Sequence, residues 1–122
     1  MTNKEMAVDF IRNCADGHAD KAFKLYAGKG FKHHNAFFKG DADSLMNAML
    51  ESDKQIPNRS FEIKRVIAEG DSVALHSHMK PFPEHLGYAT MHILRFEDGK
   101  IAEMWDFAQE VPKDMPNENG MF

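Results

Sequence analysis

The hydrophobic period of this chain changes once, at Pro57-Asn58, and that switch constrains the fold more than any other feature. Before it, apolar residues recur at helical spacing; after it, from Ser60 onward, the period moves toward two. Helices first and a strand meander second are the pattern of an α+β domain. The order predicts three N-terminal helices followed by a mainly antiparallel sheet.

Within the first half, Thr2 and Glu5 have the form of a capping box, and Met6, Phe10, Ile11 and Cys14 follow at helical spacing until Gly17. A second short helix is predicted from about Ala19 to Ala27, with Ala22, Phe23 and Tyr26 on one side, before Gly28 and Gly30 interrupt it. The segment from Phe31 to Lys39 then reads as loop. Asp41 is a good N-cap for a third helix carrying Ala42, Leu45, Met46, Met49 and Leu50 as its apolar stripe. In the second half four strands are predicted: Phe61 to Ala68, Ser72 to Lys80, Tyr88 to Phe96, and Ile101 to Gln109. Gly70-Asp71 and Asp98-Gly99 are tight-turn signals, whereas Pro81 to Gly87 is a longer, irregular connection.

A length of 122 residues fits one domain spanning residues 1–122, with no room for a second catalytic module. Hydrophobic content of 43% against 28% charged residues excludes a wholly disordered chain. The net charge of −4 is modest and the basic residues are scattered, so a nucleic-acid partner is not expected. Cys14 is the single cysteine, which forbids an internal disulfide. No segment reads as a signal peptide or a membrane span, and a cytoplasmic location is expected. No phosphate loop, nucleophile elbow or nicotinamide, flavin or nucleotide signature is present, so no cofactor is expected.

The last hairpin decides which polar residues share a face. A two-residue loop would set Glu97 opposite Lys100 and Asp106 across from Met91, apart from His92. A three-residue loop with Gly99 left-handed in a bulge would pair Phe96 with Lys100, Thr90 with Asp106, and His92 with Met104. The bulged loop is preferred, because it gathers Thr90, His92, Met104 and Asp106 on one face and leaves Met91, Ile93, Trp105 and Phe107 on the other. A carboxylate beside an imidazole is an acid/base pair: burial favours the neutral form of a carboxyl, and a nearby imidazolium favours its charged form. His76 and His78 alternate on the second strand and add imidazoles to the pocket if that parity points inward. Two histidines so spaced, plus a third, also admit a zinc or iron site, although no carboxylate-histidine signature accompanies them and no metal is expected.

The runs VIAEGDSVALHSHM and HILRFEDGKIAEMWDFAQEVP, with the ending NGMF, resemble the SnoaL-like proteins, small relatives of the polyketide cyclases in the nuclear transport factor 2-like superfamily. The likeness runs from the KHHN segment at Lys32 to Phe122. It implies a cone-shaped α+β barrel enclosing an apolar cavity and commonly dimerising through the sheet, so a homodimer is expected. It also implies an acid/base aspartate on the last strand, matched by Asp106 in EMWD, with His92 beside it on the neighbouring strand. His34 and Asn35 resemble the family's QHN segment near the cavity mouth. The family often has His at the position of Met104 and Asp at that of His92, as if the two had exchanged strands.

Together these readings give a lyase or isomerase that removes a proton alpha to a carbonyl in a small apolar molecule. Asp106, His92 and His34 are the catalytic candidates, and Asn35, His76, His78, Thr90, Met104 and Trp105 the substrate-binding ones. The rivals are a non-catalytic carrier of a small apolar ligand and a histidine-based metal site.

Overall fold

A computed structural model describes residues 1–122 as α1 (Asn3–Ala15), α2 (Ala19–Tyr26), β1 (Ala27–His33), α3 (Ala42–Gln55), β2 (Ser60–Glu69), β3 (Ser72–Lys80), β4 (Tyr88–Glu97) and β5 (Lys100–Glu110). The capping box at Thr2 closes the start of α1, with the Glu5 amide donating to the threonine hydroxyl at 3.1 Å and Glu5 accepting from the Thr2 amide at 2.9 Å. Asp41 caps α3 through the Ser44 amide. Gly17, at φ +87°, makes the turn after α1 in a conformation that other residues rarely adopt.

The strands form one sheet in the order β1-β5-β4-β3-β2, antiparallel throughout except that β1 runs parallel to β5. Strand β1 corrects the expectation of a loop over Phe31 to Lys39, since pairing reaches His33. Gly28 and Gly30 hide it, because glycine carries no strand signal. Its Phe31 and His33 are nevertheless buried, and the pairing with β5 is irregular between Ala27 and Lys32.

Three helices lie on one face of the sheet, α1 against β2 and β3, α3 against β1, and α2 bridging the other two. Their apolar stripes meet the inward positions of the strands in a core built on Phe10, Phe23, Leu45, Val73, Leu75, Leu94, Ile101 and Met104. Phe23 lies between Phe10 and Phe31, with ring centroids 5.2 and 5.3 Å away. An extra residue in β2, Lys64, and another in β5, Ala102, break the ladders and bend both strands, curving the sheet around the helices.

Leu75 is fully buried at the centre of the concave face, between Val66 and His92 on the flanking strands. Leu75→Ala is expected to lower the unfolding free energy by about 2–5 kcal/mol, read from urea denaturation. A loss below about 1 kcal/mol would show that the site collapses around the deletion.

Candidate functional site

The β4–β5 hairpin turns on two residues, Asp98 and Gly99, both at positive φ (52° and 76°), so Glu97 pairs with Lys100. The expected bulge at Gly99 is therefore absent. Aspartate tolerates the left-handed region, and Asp-Gly is the natural pair for this turn. The ladder is instead shifted one turn later, where Ala102 is the extra residue: Phe96 pairs with Ile101, and Arg95 with Glu103. That shift sets His92 directly opposite Asp106, neither Met91 nor Thr90. The face expected to hold Thr90, His92, Met104 and Asp106 forms all the same, in a different register.

On the concave face Val66, Leu75, His92 and Asp106 make one transverse row across β2 to β5. His92 and Asp106 border a cavity of about 340 Å³ between sheet and helices, lined by Ile11, Cys14, Ala15, Leu45, Ala48, Met49, Ile56, Phe61 and Met79 among apolar residues. Its polar lining is Asn35, Ser52, Arg59, Thr90, His92 and Asp106. Asn35, Thr90, His92 and Asp106 also line a second space, with Phe37, Tyr88 and Glu110 at its rim. These four polar residues thus border both an apolar chamber and an outer vestibule.

Asn35 fixes the aspartate. Its Nδ2 donates to Asp106 Oδ2 at 2.9 Å, while its Oδ1 accepts from the Phe37 amide at 3.0 Å, so the side-chain amide cannot flip without losing both bonds. The Asn35 amide in turn donates to His33 Nδ1 at 3.1 Å, and His33 Nε2 bonds the Lys39 carbonyl at 2.7 Å. Buried His33 therefore ties both ends of the loop that carries Asn35. Sequence reasoning passed over it; its position two residues after the buried Phe31 is the signal that it points inward.

With Oδ2 engaged, Asp106 Oδ1 is buried without a hydrogen-bond partner, as is His92 Nδ1. Two orphaned polar atoms on paired residues beside one cavity are a costly arrangement in a core and a useful one in a site. Burial holds His92 below the ordinary histidine value, and the Asp106 carboxylate only partly offsets it, so the imidazole is neutral at neutral pH. Burial likewise pushes the Cys14 thiol up to about 12, which removes it as a nucleophile.

The remaining candidates lie elsewhere. His34 is stacked on Trp105 (centroids 5.1 Å, planes 6° apart), and its Nε2 bonds Glu103 at 2.6 Å, at the vestibule rim and outside the apolar chamber. That bond, with Arg95 and Lys32 beside it, holds the Glu103 carboxyl below its usual range. Trp105 has the parity opposite to Asp106 and lies on the convex face. His76 and His78 also point outward, because Val73, Leu75 and Ser77 take the buried parity of β3; both rings stack on Phe122 of the C-terminal tail. Met104 is fully buried in the core and lines neither space. No three His, Cys, Asp or Glu side chains gather as a metal-binding group. No helix is long and apolar enough to cross a membrane.

The model of the SnoaL-like polyketide cyclase family matches residues 5–113. The chain belongs to that family. Among solved structures, the SnoaL-like domain resembles AclR from Streptomyces galilaeus, provisionally named a hydroxylase, at 20% identity and TM-score 0.74 over 88% of each chain. A Bacillus cereus protein provisionally named a polyketide cyclase matches at 20% identity and TM-score 0.72, covering 84% of this chain and 72% of that one. A Kribbella flavida protein provisionally named a ketosteroid isomerase matches at 14% identity and TM-score 0.73, covering 94% and 83%. At such identities the likeness establishes the nuclear transport factor 2-like fold. No match was found among curated proteins.

The neutral imidazole, with its Nδ1 buried, has a consequence for stability. Because His92 binds its proton more weakly folded than unfolded, the unfolded chain protonates first as pH falls below about 6.5. Stability contributed by the neutral state is thus complete above that pH and is lost below it, at up to about 1.4 kcal/mol per pH unit, until the folded histidine also protonates. Subtracting the urea-derived stability profile of His92→Gln from that of the wild type is expected to isolate this slope. A flat difference between pH 7 and 5 would mean that His92 is not held neutral by burial.

Proposed function

We propose that this SnoaL-like protein is a lyase or isomerase in which Asp106 removes a proton alpha to a carbonyl of a small, mostly apolar molecule. The observation that carries the reading is the unpartnered, buried Oδ1 of Asp106 beside the cavity, on a carboxylate whose other oxygen is held by Asn35. An oxygen so placed is free to take a proton, and the Asn35 bond costs it no reorganisation when it does.

In the proposed step, the electron pair of the broken C–H bond forms a carbon-carbon double bond, and the carbonyl oxygen becomes the enolate. His92, neutral, donates a hydrogen bond from Nδ1 to that oxygen, satisfying the second orphan atom. The Asp106 proton then returns either to a different carbon, shifting the double bond, or to the alkoxide formed when the enolate carbon attacks a second carbonyl of the same molecule. Thr90 borders the same point, and the apolar wall from Leu45 to Phe61 limits quenching by water.

The test is exchange of deuterium from solvent into the alpha position of a bound methyl ketone, followed by NMR. Asp106→Asn is expected to slow it by about 10²–10⁴-fold, the usual contribution of a positioned general base. Asn35→Leu, which leaves the carboxylate in place without its support, is expected to have a smaller effect. Exchange that persists undiminished in Asp106→Asn would remove the aspartate from the chemistry and leave a ligand-binding protein.

A further inference from the structure

The apolar chamber carries one cation, and nothing in the proton transfer above uses it. Arg59 sits in the connection between α3 and β2, lines the chamber with Ser52 and Ile56, and leaves only 13% of its side chain exposed. Its side-chain hydrogen bonds and ion pair are all made by one nitrogen. Nη1 donates to the Ile56 carbonyl at 3.2 Å and the Asp53 carbonyl at 3.5 Å, and forms an ion pair with the Asp53 carboxylate.

Those bonds cap the end of α3 and tether the guanidinium through one nitrogen. Asp53 is the more exposed partner, at 37%, and its carboxylate lies against Gly17, where a Cβ would come within 2.9 Å of it. The pair is therefore anchored on the side of the α1–α2 turn. The opposite edge, Nε with Nη2, has no acceptor in the protein. It is the edge of a guanidinium that takes a carboxylate through two parallel hydrogen bonds. A cation tethered beside an apolar cavity, with its two-donor edge unused, is placed to bind an anion.

We propose that the chamber recognises an anionic keto compound, its carboxylate bound by the free edge of Arg59 and its enolisable carbonyl at Asp106. The inference rests on the Asp106 reading for the carbonyl end and adds the substrate class. Arg59 directly precedes β2 and Asp106 is on β5, on the far side of the sheet and further along it, and both side chains line the one cavity. The two groups thus suit opposite ends of a flat molecule with an apolar middle, lying along Met49, Phe61 and Met79.

The probe is 6-acetyl-2-naphthoate, a rigid molecule with a carboxylate and a methyl ketone at opposite ends, compared with its methyl ester. Wild-type protein is expected to bind the acid about tenfold or more tightly than the ester by calorimetry. Arg59→Met is expected to abolish the preference by weakening the acid alone, and Arg59→Lys, which keeps the charge but loses the fork, to restore part of it. Equal affinities for acid and ester in the wild type, or no measurable binding of the acid, would overturn the proposal without reliance on any variant. Equal weakening of both probes by Arg59→Met would reduce Arg59 to a helix cap and also overturn it. The two readings separate in the exchange assay. A strong acid preference with no deuterium exchange removes Asp106 and keeps Arg59, whereas equal exchange into acid and ester, unaltered by Arg59→Met, keeps Asp106 and removes Arg59.

Discussion

The pairing of His92 with Asp106 across the last two strands is the contact on which the site depends, and a single inserted residue makes it. Side chains alternate across a strand, so any shift by one residue exchanges the faces. The tight Asp98-Gly99 turn alone would send Asp106 opposite Met91 and out of the cavity. Ala102 restores the parity and bends the strand at the same point. The bend in β5, which with that in β2 encloses the chamber, and the register that aims the carboxylate into it therefore share one local cause.

Around that pair the structure separates positioning from chemistry. His33 holds the loop, the loop holds Asn35, and Asn35 holds one oxygen of Asp106, leaving the other unengaged. Leu75 and Phe61 flank His92 on the concave face, the Phe61 ring centroid being 6.2 Å from the imidazole, and their bulk keeps it dry and neutral. A neutral imidazole and a carboxylate with one free oxygen are complementary tools, one to donate a hydrogen bond and one to accept a proton.

Much of the architecture was legible in the sequence, because helix caps, glycine turns and the change of period are local signals. Thr2, Asp41 and Gly17 stand at helix boundaries, and β2 to β5 lie within a residue or so of their expected limits. What was not legible is long-range. Strand β1 has two glycines and earns its place only by pairing with β5, and the Ala102 bulge leaves no mark in composition. Parity alone does not say which face of β3 is inward; the buried Val73, Leu75 and Ser77 fix it, and His76 and His78 take the other side rather than the pocket. Arg59 escaped notice for the same reason: only folding brings the end of α3 to the chamber wall. The Asp106 position was found through family resemblance, since one aspartate in a strand has no distinctive pattern.

The central claim is that, inside the chamber, the free oxygen of Asp106 faces the alpha carbon of a ligand whose oxygen is held by Nδ1 of His92. A crystal structure with 2-naphthol, a planar mimic of an enol, tests it most directly. The account requires the naphthol oxygen within hydrogen-bonding distance of His92 Nδ1 and its neighbouring ring carbon facing Asp106 Oδ1, with the rings against Phe61 and Met49. A naphthol seated on the convex face, or an Asp106 carboxylate turned to solvent while the ligand occupies the chamber, would contradict it.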